Sequence, residues 1–124
     1  MMMTYWAIFV GGGLGSLARF GMSKLIHNPL QGIHPLGTLA ANLASTVLLG
    51  VLLYWLQPRG GLAPGWKFFW ATGFCGGFST FSTFSFETAE LLRSGHWAWA
   101  ALNALGSMAL GVLVVLALSR VPLR

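Results

Sequence analysis

Residues 72–85 read Thr72-Gly73-Phe74-Cys75-Gly76-Gly77-Phe78-Ser79-Thr80-Phe81-Ser82-Thr83-Phe84-Ser85, a run of glycines, hydroxyls and phenyl rings inside an otherwise apolar block. Gly76-Gly77 weakens a helix passing through it, and irregular backbone at membrane depth is tolerated only where protein or a water-lined cavity receives the freed backbone groups. Breaks of this kind commonly create ion sites. A second reading has equal standing: Gly73 and Gly77, four apart, let another helix approach closely. Phe78, Phe81 and Phe84 form one slowly drifting stripe, with Ser79, Ser82 and Ser85 beside it. A phenyl edge is electropositive, so edges turned inward hold an anion weakly while hydroxyls replace part of its water shell. Phenylalanines more commonly face lipid or a core. The interleaved hydroxyls are what favour the anion reading.

The flanking sequence supplies the solvent for this segment. The 124 residues are 56% hydrophobic and 7% charged, with a mean hydropathy of +0.72, a composition too apolar for an ordinary soluble domain. A spanning helix needs roughly 20 apolar residues, and four such blocks can be counted: Tyr5–Ile26, Leu36–Gln57, Trp66–Arg93 and Trp97–Ser119. Trp6, Trp55, Trp66, Trp70, Trp97 and Trp99 fall near block ends, where amphipathic rings favour the headgroup region. The connections are short, so the expectation is one all-α integral membrane domain, 1–124, of four transmembrane helices with the third broken.

Charge is sparse. Glu87 and Glu90 are the only acids, and Arg19, Lys24, Arg59, Lys67, Arg93, Arg120 and Arg124 the only bases. The bases are scattered between apolar blocks rather than lined along one face, which argues against a nucleic-acid partner despite a pI near 10.4. With four spans, one side carries Arg59, Lys67, Arg120 and Arg124 and the other Lys24, Arg93 and Arg19. So weak a bias gives the positive-inside rule little to act on, and insertion in both orientations follows. An antiparallel homodimer is the corresponding assembly, and four short helices alone enclose a polar pathway poorly. Residues 1–19 show neither a basic n-region nor a cleavage site, so the first helix is expected to be retained.

Other polar residues extend the candidate site. Thr38 and Asn42 share one face of the second block, and Asn42 offers N–H donors suited to an anion or to a neighbouring helix. Asn103, Ser107 and Gly111 form a polar-to-small stripe on the fourth block, with the same two readings. Gly11, Gly15 and the pair Gly12, Ser16 read as packing surface. Arg19 either snorkels to the interface or draws anions into a vestibule. Glu87 is expected to pair structurally and Glu90 to be solvated. Cys75 stands alone, so neither a disulfide nor a thiolate cage forms, and His27, His34 and His96 lack metal-ligand spacing. With no carboxylate placed beside a histidine and a nucleophile, an enzyme is not expected.

The motifs Gly11-Gly12-Gly13-Leu14-Gly15-Ser16-Leu17-Ala18-Arg19-Phe20, Gly37-Thr38-Leu39-Ala40-Ala41-Asn42 and Thr72 to Ser85, in that order, make the chain resemble the Fluc (CrcB) fluoride channels of bacteria and archaea over essentially its whole length. The resemblance implies passive fluoride export from the bacterial inner membrane by an antiparallel dual-topology homodimer with two pathways. By motif position it implies Phe81 and Phe84 as pore-lining rings, Asn42 as a fluoride-contacting amide, and Thr38, Ser82, Thr83, Ser107 and Asn103 along the path. It also implies a structural sodium ion (Na+) at the dimer centre, held by the backbone carbonyls of Gly76 and Ser79. Two positions depart from the pattern: Ser45, where the family often has Gly, and Gly111, where a hydroxyl often continues the polar track. The rival from another class is a proton-coupled exporter of organic cations, which requires a membrane carboxylate.

Overall fold

The computed structural model describes residues 1–26 and 35–121. His27, His34 and Arg124 lie outside the described residues. All four apolar blocks are helical. Helix α1 is Met2–Ile26, 25 residues long and so about 37 Å at 1.5 Å per residue. Helix α2 runs Leu36–Arg59. The third block is two rods, α3 over 64–78 and α4 over Phe81–Arg93, and α5 is Trp97–Arg120. The expected boundaries hold to within a few residues at each end.

Punctuation follows local chemistry. Pro64 opens α3 at a position where its missing N–H costs nothing. Helix α4 closes on Gly95 at φ 82°, with His96 N–H donating to Leu91 O at 2.8 Å and Gly95 N–H to Leu92 O at 3.2 Å. This double bond is the Schellman arrangement, and its left-handed position is why glycine stands there. His96 sits in this exposed turn, its Nδ1 2.9 Å from Ser94 Oγ. Hydrogen bonding widens to the i→i+5 pattern over Val51–Leu56, Phe68–Phe74 and Leu102–Gly106 without interrupting the helices.

Helices α1 and α3 pack backbone to backbone. A Cβ on Gly11 would collide with the Phe69 carbonyl, one on Gly15 with the Phe74 carbonyl, and one on Gly77 with the Gly12 carbonyl. The small-residue surface expected on α1 is therefore real, and Gly73 and Gly77 complete it from the other side.

The break in the third span is displaced from its expected place. Gly76 and Gly77 lie within the helical turn Cys75–Phe78. The chain leaves the helix only at Ser79 (φ −81°, ψ 155°) and Thr80 (φ −152°, ψ 124°). Glycine permits a break, but the position is set by what captures the freed backbone groups, and those partners surround Thr80.

Helices α2 and α5 are each long and apolar enough to cross a bilayer, with mean window hydropathies of 1.9 and 2.2. Only 6% of the α5 window is buried within the chain, whereas the core helix of a soluble protein would be mostly covered. Phe9, Leu17, Leu105 and Met108 are likewise exposed by two thirds or more. Apolar surface on this scale needs lipid or a partner to cover it.

Candidate functional site

The interruption between α3 and α4 is held open by specific partners. Asn42 on α2 reaches across to Thr80, its Oδ1 accepting from Thr80 N–H at 2.9 Å and its Nδ2 lying 3.5 Å from Thr80 O. Thr80 also caps α4, its Oγ1 accepting from Thr83 N–H at 3.3 Å. An N-cap threonine satisfies one of the orphan donors of the first turn.

These two captures have a consequence for the carbonyls upstream. In an unbroken helix Thr80 N–H would donate to Gly76 O, and Thr83 N–H to Ser79 O. Both donors are diverted, one to Asn42 and the other to the Thr80 hydroxyl. The Gly76 and Ser79 carbonyls thus lose their regular helical donors, and Gly76 faces outward, with nothing within 4 Å of where its Cβ would stand. Carbonyl oxygens that lack their helical donor fit a hard cation such as sodium. Among the described residues no cluster of three His, Cys, Asp or Glu side chains is available to a metal.

The last turn of α3 is otherwise well tied. Cys75 O accepts from Ser79 N–H at 3.0 Å, Ser79 Oγ at 2.9 Å and Ser45 Oγ at 2.9 Å. Ser45, one of the two departures from the family pattern, is buried and polarises the α2–α3 contact in this way. Arg19 is half-buried and turns its Nε toward Gly77 O at 3.3 Å, placing a cation at the C-terminal end of α3, where the helix dipole favours it.

Beside the break, α2, α4 and α5 border a groove of about 370 Å³. Asn42, Ser79, Thr80, Phe81, Phe84 and Ser107 line it. Phe81 is 80% exposed, and its ring centroid lies 5.9 Å from that of half-buried Phe84 at an interplanar angle of 32°. Ser107 Oγ is buried without a hydrogen-bond partner, so a donor is left over at the groove wall. A second groove continues past Ser107 along Gly111 to Leu116. There the wall is apolar where a hydroxyl at 111 would have extended the polar track.

The remaining expected residues are distributed around this centre. Ser82 is exposed on the first turn of α4, and Thr83 Oγ1 lies 3.3 Å from Thr80 Oγ1. Thr38 is 3% exposed and donates to Glu87 Oε1 at 2.8 Å. Asn103 is fully buried behind the groove, its Nδ2 donating to Thr88 Oγ1 at 2.9 Å.

Glu87 is tied structurally as expected, though to Thr38, while Glu90, expected to be solvated, is paired. Glu90 forms an ion pair with Arg93 at 2.8 Å, because i,i+3 spacing on α4 brings them together. Glu87 meets a hydroxyl rather than an arginine, since Arg19 is turned to Gly77. Sequence reasoning missed the roles of Thr80 and Thr88. A threonine directly before a helix is a capping signal that pointed to Thr80, although Thr83 stands where a full capping box has Glu or Gln. Thr88 carries only a weak local signal, its four-residue spacing from Phe84.

An all-helical chain with apolar spans and one interrupted span, whose break borders a groove of amide, hydroxyl and phenyl groups, is a membrane protein of the kind that handles ions. It belongs to the CrcB family: residues 6–118 match the family described as CrcB-like protein, Camphor Resistance (CrcB). The chain is 47% identical over 105 residues, 85% of its length and 82% of the relative's, to the fluoride-specific ion channel FluC of Escherichia fergusonii. It is 45% identical over 117 residues, 91% of each chain, to the protein of that name from Escherichia coli O139:H28.

Proposed function

We propose that this chain is a fluoride channel that exports fluoride passively and protects the cell from its toxicity. The observation that carries the reading is the groove itself. Two phenyl rings, the Asn42 amide and unpaired Ser107 converge there beside a helix break, with no cationic side chain among the described residues that line it. Hydrogen fluoride crosses membranes neutral and ionises at cytoplasmic pH. The trapped anion then leaves down a negative-inside potential worth roughly 2.3 kcal/mol per 100 mV for each charge.

In this reading Phe81 and Phe84 present electropositive edges to the ion. Asn42, Ser82, Thr83 and Ser107 supply donors that replace its hydration, and Thr38 and Asn103 support the same path. A narrow path with closely spaced donors suits a small anion better than chloride. Arg19 adds positive potential at the approach to the break.

The working unit is an antiparallel, dual-topology homodimer in the bacterial inner membrane. Its support is the exposed apolar surface of the chain, the outward-facing Gly76 and the weak charge bias of the loops. Two carbonyls from one chain leave a cation largely hydrated, and a second copy doubles them. A sodium ion held by Gly76 and Ser79 of both copies would supply structural cohesion at the centre. A tag on the C-terminus is therefore accessible from both membrane faces, and accessibility from one face alone overturns dual topology.

Purified protein in liposomes tests the whole reading. Fluoride efflux well above chloride efflux, without proton-coupled uptake of organic cations, is the expected result. Proton-coupled cation uptake without fluoride efflux would instead assign Glu87 the coupling role.

A further inference from the structure

The geometry points to Asn103 and Thr88 as a positioning pair for Phe84, acting on the ring through its backbone rather than touching the ion; the inference rests on the fluoride reading above. Thr88 Oγ1 donates its single proton to Phe84 O, four residues earlier on α4, at 2.7 Å. What Thr88 receives from Asn103 at 2.9 Å must then be an N–H. This fixes the orientation of the carboxamide and leaves Asn103 Oδ1 buried with no partner. An acceptor oxygen in that position repels an anion. Neither Asn103 nor Thr88 lines the groove, whereas Phe84 does.

The result is a relay from α5 through Thr88 to the carbonyl of a groove residue. Asn103 lies in the Leu102–Gly106 stretch, where the helix widens to i→i+5 bonding, a distortion found often at functional sites. On the opposite flank Asn42 and Thr80 fix the first turn of α4. The two attachments together determine where the Phe84 ring stands, so a side chain with no access to the ion controls the width of its path.

The test is a mutant cycle read as fluoride efflux from liposomes, with the wild type and Phe84→Ile measured alongside. Thr88→Val and Asn103→Leu each lower flux about tenfold. The double variant loses about tenfold rather than about a hundredfold, because both changes cut one relay. Thr88→Ser, which keeps the hydroxyl, conducts as the wild type. Multiplicative losses, or normal flux in Thr88→Val beside a damaged Asn103→Leu, overturn the pairing and return Asn103 to direct contact with the ion.

An infrared measurement on protein carrying a 13C=18O label at Phe84 reads the relay without transport. Its amide band moves to higher frequency in Thr88→Val and stays in place in Thr88→Ser, and an unmoved band in both overturns the inference. If the wild type carries no fluoride while the band responds as described, the fluoride reading falls and the relay stands.

Discussion

Asn42 and Thr80, 38 positions apart, share a two-sided contact in which a side-chain amide stands in for a stretch of helix. The amide oxygen takes the N–H that would otherwise close onto Gly76. Replacing Asn42 with Leu preserves bulk and strands that N–H. This donor is part-buried, so leaving it without a partner costs at most about 1–3 kcal/mol. Asn42→Leu is therefore expected to lower the melting temperature in detergent as well as the fluoride flux, and an unchanged melt would mean that the break is held elsewhere.

The α1–α3 contact predicts a sharp contrast among glycines. At Gly15 a methyl group meets the Phe74 carbonyl, which is backbone and cannot rotate aside, so Gly15→Ala is expected to cost about 3 kcal/mol. At Gly21 nothing lies within 4 Å, and Gly21→Ala should be neutral or stabilising by up to about 1 kcal/mol. Thermal melts of the two variants side by side check the contrast, which vanishes if the helices pack in another register.

For Phe81 and Phe84, exchange with Ile keeps an apolar side chain and removes the ring edge. Each variant should assemble normally and lose at least about tenfold in fluoride flux, equivalent to about 1.4 kcal/mol. Phe69 provides the control: its ring lies edge-on to Trp66 and Trp70, with centroids 5.6 and 5.1 Å away. Its replacement should cost about 0.5–1.5 kcal/mol of stability and leave flux intact. Normal flux through well-folded Phe81→Ile and Phe84→Ile proteins would remove the rings from the path.

Ser79 separates side chain from backbone. Its hydroxyl is one of three donors converging on Cys75 O, so Ser79→Ala should cost about 1 kcal/mol or less. Its carbonyl survives the change, so if the proposed sodium ion joins two copies, exchange of sodium for a large organic cation should weaken their association in wild type and variant alike. A severe alanine effect with no sodium dependence would assign the function to the hydroxyl.

Helix number and extent were legible in the sequence because length and apolarity are local properties, and the tryptophans marked several ends. The glycine pairs on α1 were read correctly as packing surface. Gly76-Gly77 misled on the position of the break, since permissiveness is local while capture by Asn42 is tertiary. The identity of the Glu87 partner has the same origin. Arg93 lies one turn from Glu90 and could be counted off, whereas Thr38 reaches Glu87 only through the packing of α2 on α4. Asn103 could be singled out as polar, but its burial behind the groove depends on a threonine on another helix.

The interruption at Ser79 and Thr80 leaves two helix ends of opposite polarity side by side, the carbonyl terminus of α3 and the amide terminus of α4. Partial charges of about half a unit reside on such ends. Charge of both signs can thus be met around a single kink largely by backbone dipoles, with the Arg19 guanidinium at Gly77 O as the charged side chain beside it. Polarity built from peptide groups neither protonates nor rotates away. The selectivity it confers should survive acidification of the medium, the condition in which hydrogen fluoride enters cells fastest.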